Sequence, residues 1–240
     1  MSCDYCDERA GIETVYNQIY GQRNRMVCET RRFTVFPCMG QLREGHLLIA
    51  SKKHVNAAGM LGRDAILELE NVISAIGDFY QKQYQQGLLC FEHGVLNDEG
   101  SCGGCGIYHM HLHVLPASFE EFSKAIQRVR SQEGQIISSA EGLFDTRRYV
   151  ERQKTYLFLS YHGEGTTPVS YIAHSRGNYF ESQYMRKIIC SVLGRTNLDW
   201  RSITWEETEF FSTMEKCRAF FGGQPAGQLA GNLFLRTQAG

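Results

Sequence analysis

Residues 107–115 read Ile107-Tyr108-His109-Met110-His111-Leu112-His113-Val114-Leu115, and the alternation of histidine with apolar residues predicts a β-strand. Successive side chains of a strand point to opposite faces and advance about 3.3 Å per residue. His109, His111 and His113 therefore share one face at intervals of about 7 Å. Met110, Leu112 and Val114 take the other face and enter the core. One histidine in such a strand would be an ordinary polar residue on the solvent side. Three in alternation, directly after the glycine-rich stretch Gly100-Ser101-Cys102-Gly103-Gly104-Cys105-Gly106, point to chemistry. Glycines let backbone N–H groups approach a phosphate closely, and a neutral imidazole beside them is a competent nucleophile or general acid near pH 7.

Working outward from this strand, Pro116 is expected to end it. Ser118 and Glu121 have capping-box spacing, opening a helix with Phe119, Phe122, Ile126 and Val129 on its apolar face. Upstream, residues 88–91 read as a strand. Residues 64–86 form a long amphipathic helix, with Ile66, Leu69, Ile73, Ile76 and Tyr80 at three- and four-residue steps. Residues 46–50 are a buried strand, and 26–36 are two short strands around a polar turn. Downstream, residues 131–150 are polar with little periodicity and read as a linker or surface loop. Segments 155–161 and 167–173 suggest a hairpin around Gly163 and Gly165. Tyr184, Ile188 and Val192 suggest a helix. Thr204 and Glu207 fit a second capping box, ahead of a stripe at Phe210, Met214, Cys217 and Phe221. The expected division is a domain over 1–130, a C-terminal extension over 131–225 packed on it, and a disordered tail over 226–240.

The chain has 240 residues with 25 Lys plus Arg against 26 Asp plus Glu, a formal charge of −1. That balance provides no global basic field, so nucleic acid is not an expected partner; a small phosphorylated ligand is compatible with it. No run approaches the ~20 apolar residues of a membrane span. The start, MSCDYCDERAG, has no apolar core of a secretory signal. No membrane association and a cytoplasmic, reducing setting are therefore expected. The nine cysteines are an odd number, so metal ligation or buried thiols are favoured over a disulfide framework. Cys3 and Cys6 form a C-x2-C pair, a common half of a tetrahedral zinc site. Cys102 and Cys105 form a second pair that could compete for the metal.

The string HMHLHVL resembles the histidine-triad signature, His-φ-His-φ-His-φ-φ, of the HIT superfamily of nucleotide hydrolases and transferases. CDYC at 3–6, EGHLLIASKKH at 44–54 and FEHG at 91–94 occur in the same order as in zinc-containing members, so the resemblance covers roughly residues 1–117. Ser182-Gln183-Tyr184-Met185-Arg186 is similar to a segment of longer bacterial members. The resemblance implies an α+β fold: a HIT-like antiparallel sheet with packed helices, plus an α/β C-terminal extension. It assigns His111 as a nucleophile that attacks the α-phosphorus of a small-molecule nucleotide and forms a covalent nucleotidyl-histidine. It gives His113 the task of contacting the phosphate or assisting the leaving group. The backbone of Gly104, Cys105 and Gly106 would stabilise charge on the phosphate oxygens. Uridylyltransferases and diadenosine tetraphosphate phosphorylases of the superfamily carry Gln where His113 stands, which tilts the expectation toward hydrolases and phosphoramidases. Two positions depart from the pattern. Cys38, beside Pro37, stands where members often place a ribose-binding Asp, and Gly106 stands where a Ser or Thr is common.

By the same resemblance, Cys3, Cys6, His54 and His109 would hold a structural zinc. His46 would support the catalytic histidine, Asn97 would lie near the phosphate, and Gln183 and Arg186 would reach the pocket from the extension. His93 is a candidate for the base or sugar pocket, or a structural residue. A homodimer is the expected assembly. Two other functions stay open on the sequence alone: a metallohydrolase in which His109 and His111 share a catalytic metal, and a nucleotide-binding regulatory protein.

Overall fold

A computed structural model describes residues 3–21, 24–96, 107–177, 179–195 and 207–222. In chain order its elements are α1 (Asp4–Arg9), α2 (Val15–Tyr20), β1 (Cys28–Glu29), β2 (Phe33–Pro37), β3 (Leu47–Ser51), α3 (Arg63–Tyr84), β4 (Gly87–Gly94), β5 (His111–Ala117), α4 (Phe119–Ser131), β6 (Gln135–Ala140), α5 (Arg147–Glu151), β7 (Tyr156–His162), β8 (Val169–Ser175), α6 (Tyr184–Val192) and α7 (Glu207–Gly222). The strands form one antiparallel sheet in the order β1-β2-β3-β5-β4-β7-β8-β6. The histidine strand β5 is central, between β3 and β4, where both edges are satisfied by backbone pairing.

The alternation in β5 separates two cores. Met110, Leu112 and Val114 join Leu47, Ile49, Leu88 and Cys90 on one face, covered by Leu69, Val72, Ile73, Ile76, Phe79 and Tyr80 of α3 and by Met214, Cys217 and Phe221 of α7. On the other face Leu89, Phe91, Leu115, Leu157 and Leu159 pack under α4 and α6, through Phe122, Ile126, Met185 and Ile189. The first half of that second face, around β2 and β3, is covered by α1: Tyr5 packs on Phe36 and Leu48. The two covers leave a cleft over the histidines.

Several sequence expectations hold and several need correction. The Ser118–Glu121 capping box forms reciprocally, each side chain meeting the other's backbone N–H. The 155–173 hairpin forms as β7 and β8. Pro116 does not end β5: the strand runs to Ala117, with Pro116 opposite Leu88. Beyond Val114 the strand has no partner on the β3 side, so a missing N–H there breaks no ladder; the Pro116 carbonyl accepts from Arg43 Nη1 at 2.8 Å. Residues 131–150 are not a loop. They supply β6, a 3-10 turn at Leu143–Thr146 and α5. β6 is an edge strand whose side chains are half-buried or exposed, so its residues are polar and the period-2 signal is weak. In α6 the buried residues are Tyr184, Met185, Arg186, Ile189 and Cys190, while Ile188 and Val192 lie at the rim; the helix is rotated from the expected stripe. The α7 stripe is as expected, with Phe210, Met214, Cys217 and Phe221 all buried. Thr204 and residues 226–240 lie outside the described residues.

The second half of the chain extends the same sheet. β7 pairs with β4 over seven residues, from Leu88–His162 to Gly94–Tyr156, and α6 shares a core with β4 and β5.

Candidate active site

The β5 pleat turns His111 and His113 toward a cleft walled by Tyr5 and Glu8 of α1, Tyr16 of α2, Cys38 and Met39 after β2, and Arg186 of α6. His111 Nδ1 donates to the backbone carbonyl of His109 at 2.7 Å. That bond fixes the tautomer and leaves the Nε2 lone pair free. The ring lies edge-on to Tyr5 with centroids 5.5 Å apart. Burial pushes His111 down to about 4, opposed by the bond to the His109 carbonyl, so the ring is a neutral base at pH 7.

A chain of hydrogen bonds assigns the tautomer of His113. The Leu42 N–H donates to His46 Nδ1 at 3.2 Å, so His46 carries its proton on Nε2. His46 Nε2 meets His113 Nδ1 at 2.9 Å and donates to it. His113 therefore carries its own proton on Nε2, a buried atom with no partner among the described residues. Its ring is stacked on Phe91 at 4.5 Å and 5°. Burial holds both His46 and His113 well below the ordinary histidine range, with neighbouring positive charge acting the same way. The turn that presents His46 depends on Gly45, whose φ is +92°. An added Cβ would meet Pro116 and Tyr84 at 3.0 Å; its N–H donates to Thr213 Oγ1 and its carbonyl accepts from Tyr80.

At the start of β5 a second cluster assembles. Sγ of Cys3 and Cys6 and one ring nitrogen each of His54 and His109 lie within 4.8 Å of one another. The separations are 3.2 Å for Cys3 Sγ to His109 Nδ1, 3.5 Å for Cys6 Sγ to His54 Nδ1 and 3.6 Å for Cys6 Sγ to His109 Nδ1. Zinc bonds of about 2.3 Å to sulfur and about 2.05 Å to nitrogen, at a tetrahedral angle, set the S–N separation at about 3.6 Å. His109 Nε2 donates to the Ser51 carbonyl at 2.6 Å, which leaves Nδ1 as the metal-facing lone pair. The donor set thus fits zinc.

Of the residues singled out in the sequence, His111, His113, His46 and Arg186 converge on the cleft or its support, and Cys3, Cys6, His54 and His109 converge on the metal cluster. Gln183 is buried at the start of α6 with φ +59°, but does not line the cleft. Asn97, Cys102, Gly104, Cys105 and Gly106 lie outside the described residues. His93 is edge-on to Phe180 at 5.5 Å, and neither ring nitrogen has a partner among the described residues; burial pushes it down to about 4. The sequence reading missed the cleft walls Tyr5, Tyr16 and Met39 and the stacking residue Phe91. Phe91 and Tyr5 carried a signal, each lying inside a quoted motif, FEHG at 91–94 and CDYC at 3–6.

No protein-family model and no curated protein matches the sequence. Among solved structures the chain is similar to a hypothetical histidine triad nucleotide-binding protein from Sulfolobus tokodaii, at 19% identity over 49% of this chain and 70% of that one, with a TM-score of 0.35. It is similar to a zinc-bound histidine triad family protein from Mycobacterium smegmatis, at 16% identity over 50% and 77% of the two chains, TM-score 0.36. A uridylyltransferase is similar at 10% identity over 73% and 74%, TM-score 0.36. The HMHLHVL string resembles the histidine-triad signature, and the fold around it is α+β. Among the described residues no helix is long and apolar enough to cross a membrane.

Proposed function

We propose that this chain is a nucleotide hydrolase or nucleotidyltransferase acting at the α-phosphate of a nucleoside 5′-phosphoryl compound, through a covalent nucleotidyl-histidine on His111. The observation that carries this is the orientation of His111: its Nδ1–H is held by the His109 carbonyl and its free Nε2 lines the cleft. In the first step the Nε2 lone pair attacks phosphorus, a P–N bond forms, and the bond to the leaving group breaks with its electron pair, an amine leaving group taking its proton from solvent. His113 Nε2–H hydrogen-bonds the oxygens on which charge develops. It acts as a donor rather than an acid, because its Nδ1 already accepts from His46. In the second step an acceptor oxygen attacks, the P–N bond breaks, and the Nε2 lone pair is restored; when the acceptor is water its proton leaves to solvent. The resemblance, in which transferases and phosphorylases carry Gln at this position, tilts the proposal toward water as acceptor.

Zinc held by Cys3, Cys6, His54 and His109 would supply a structural tie. It would join the segment bearing Tyr5, one wall of the cleft, to the residue two places before His111. A metallohydrolase with His109 and His111 as joint ligands is not favoured: His109 Nδ1 faces the cysteines and its Nε2 donates to the Ser51 carbonyl, which leaves it no lone pair for a metal shared with His111. The test is a turnover screen of adenosine phosphoramidates, dinucleoside polyphosphates and nucleotide sugars, each with water and with phosphate as acceptors. His111→Ala should lower kcat by several powers of ten, on the order of 10^4 or more, on any substrate the native chain turns over. An unchanged kcat would overturn the assignment.

A further inference from the structure

Among the described residues the cysteines fall into two groups. Cys28, Cys38, Cys90, Cys190 and Cys217 are buried, whereas Cys3 and Cys6 are half-buried. The same two thiols belong to the metal cluster, which is open to solvent at His54. They are also placed to bond to each other. All four donor atoms of the cluster, and so the two sulfurs, lie within 4.8 Å of one another. Cys3 is the N-cap of α1 and Cys6 its third residue. Three helical steps set their Cα atoms about 5 Å apart, inside the range of roughly 4.4–6.8 Å that disulfides span. Side-chain rotation can therefore close the sulfurs to the about 2.05 Å of an S–S bond. What they hold down is a six-residue helix, too short to be stable alone. Its other anchors are the Tyr5 ring, edge-on to Phe36 and His111 at 5.2 and 5.5 Å, the Glu8–Arg25 ion pair and the Arg9 bond to the Lys52 carbonyl. Among these the cysteines alone tie the start of α1 to the residue two places before His111.

We propose that Cys3 and Cys6 are an oxidation site: a peroxide converts the pair to a disulfide, which releases the metal and frees α1, the wall of the cleft that carries Tyr5. One thiolate attacks a peroxide oxygen, the O–O bond breaks, and a sulfenic acid and hydroxide form. The second thiolate attacks that sulfur, the S–S bond forms, and a second hydroxide leaves. Two protons from solvent complete two water molecules, so the peroxide gains the two electrons the sulfurs lose. A disulfide sulfur is no longer a metal-binding thiolate, and His54 and His109 alone are half of a tetrahedral set. The change is reversible, because a thiol reductant attacks the bridge and restores both thiolates. The inference rests on the zinc reading of this cluster and is independent of the His111 chemistry.

The full zinc-loaded chain is titrated with hydrogen peroxide while a chromogenic chelator reads released zinc, and aliquots are alkylated, cut with trypsin and weighed. The tryptic peptide 1–9 contains Cys3 and Cys6 and no other cysteine. It should appear unalkylated and lighter by two hydrogens, with one zinc released per bridge formed. The oxidised chain should take up no added zinc until dithiothreitol reduces it, whereas a chain stripped by a chelator should take up zinc directly. Hydrogen exchange should be about tenfold or more faster over residues 4–9 of the oxidised chain, as expected when a local tie is lost, while β3 and β5 keep their protection. Zinc release with peptide 1–9 still alkylated at both cysteines, or release that tracks oxidation of Cys102 and Cys105, overturns the proposal. So does an oxidised chain that rebinds zinc without reductant, or unchanged exchange over residues 4–9. A chain isolated without zinc overturns the metal reading and this inference together. No readout uses turnover, so the His111 chemistry stands or falls separately.

Discussion

Glu92 gives the structure a pH signature that can be worked through. The residue lies on β4 with 1% of its surface exposed, on the face opposite the cleft. Its Oε1 accepts from the Ala58 N–H at 2.7 Å and its Oε2 from the Tyr156 hydroxyl at 2.6 Å; Tyr156 in turn accepts from the Gly59 N–H. Burial pushes the carboxyl from 4.5 up to about 7, with both hydrogen bonds pulling the other way. The folded chain thus holds the proton more tightly than the unfolded chain. Below pH 4.5 both states are protonated and the stability from this group is full. Between 4.5 and about 7 the unfolded chain releases its proton first and stability falls; above about 7 the loss is complete. At about 1.4 kcal/mol per pH unit, the gap corresponds to a loss of roughly 3 kcal/mol as an upper figure. Glu92→Gln keeps an acceptor for Ala58 and offers Tyr156 a donor, and cannot ionise. Urea unfolding followed by circular dichroism at pH 4.5, 6 and 7.5 should show the variant close to wild type at the acid end. Its stability should decline less steeply by about 3 kcal/mol. Parallel pH profiles for the two proteins would show that Glu92 is ionised freely in the fold and that the burial argument is wrong.

Three further outcomes follow from the site. Elemental analysis should find about one zinc per chain; Cys6→Ser should lose it and lower the melting temperature, whereas Cys102→Ser should keep it, and the reverse result would move the site to the Cys102/Cys105 pair. His46→Leu releases His113 Nδ1 and with it the control of the Nε2 proton. It should lower kcat by about 10^2 without preventing adduct formation on His111, and an unchanged kcat would remove the His46 bond to His113 from the account. Truncation after residue 130 strips β7 from seven positions of β4 and uncovers Leu89, Phe91 and Leu115. The fragment should be insoluble or strongly destabilised, and a soluble, fully active fragment would show that the extension is not needed.

The strand that organises the fold was legible because it is central: buried on both faces, it still carries a histidine on every second residue, and nothing else in the chain repeats that pattern. The helix at 63–84 was legible for a similar reason, since one face of it is buried along nearly its whole length. β6 was not, because an edge strand with half-exposed side chains satisfies no hydrophobic period. The Pro116 boundary failed because a proline is harmless where the strand has lost one neighbour. In the metal cluster the sequence spacing gave only the Cys3–Cys6 half. His54 and His109 came from family resemblance, because their convergence is made by β3 and β5 lying side by side. Arg186 was the hardest to read. An arginine in a short helix is ordinarily exposed, and only the rotation of α6 that buries Met185 and Ile189 brings it into the cleft.

The central claim is a covalent intermediate on one named nitrogen. The chain is mixed with an adenosine phosphoramidate or a dinucleoside polyphosphate, quenched within milliseconds in alkali to preserve a P–N bond, and digested for mass spectrometry. The account predicts a nucleoside monophosphate adduct on the peptide containing residues 109–113, fragmenting at His111 and absent from His111→Ala. Turnover by a chain that never carries the adduct, or an adduct on His109 or His113 instead, would contradict it.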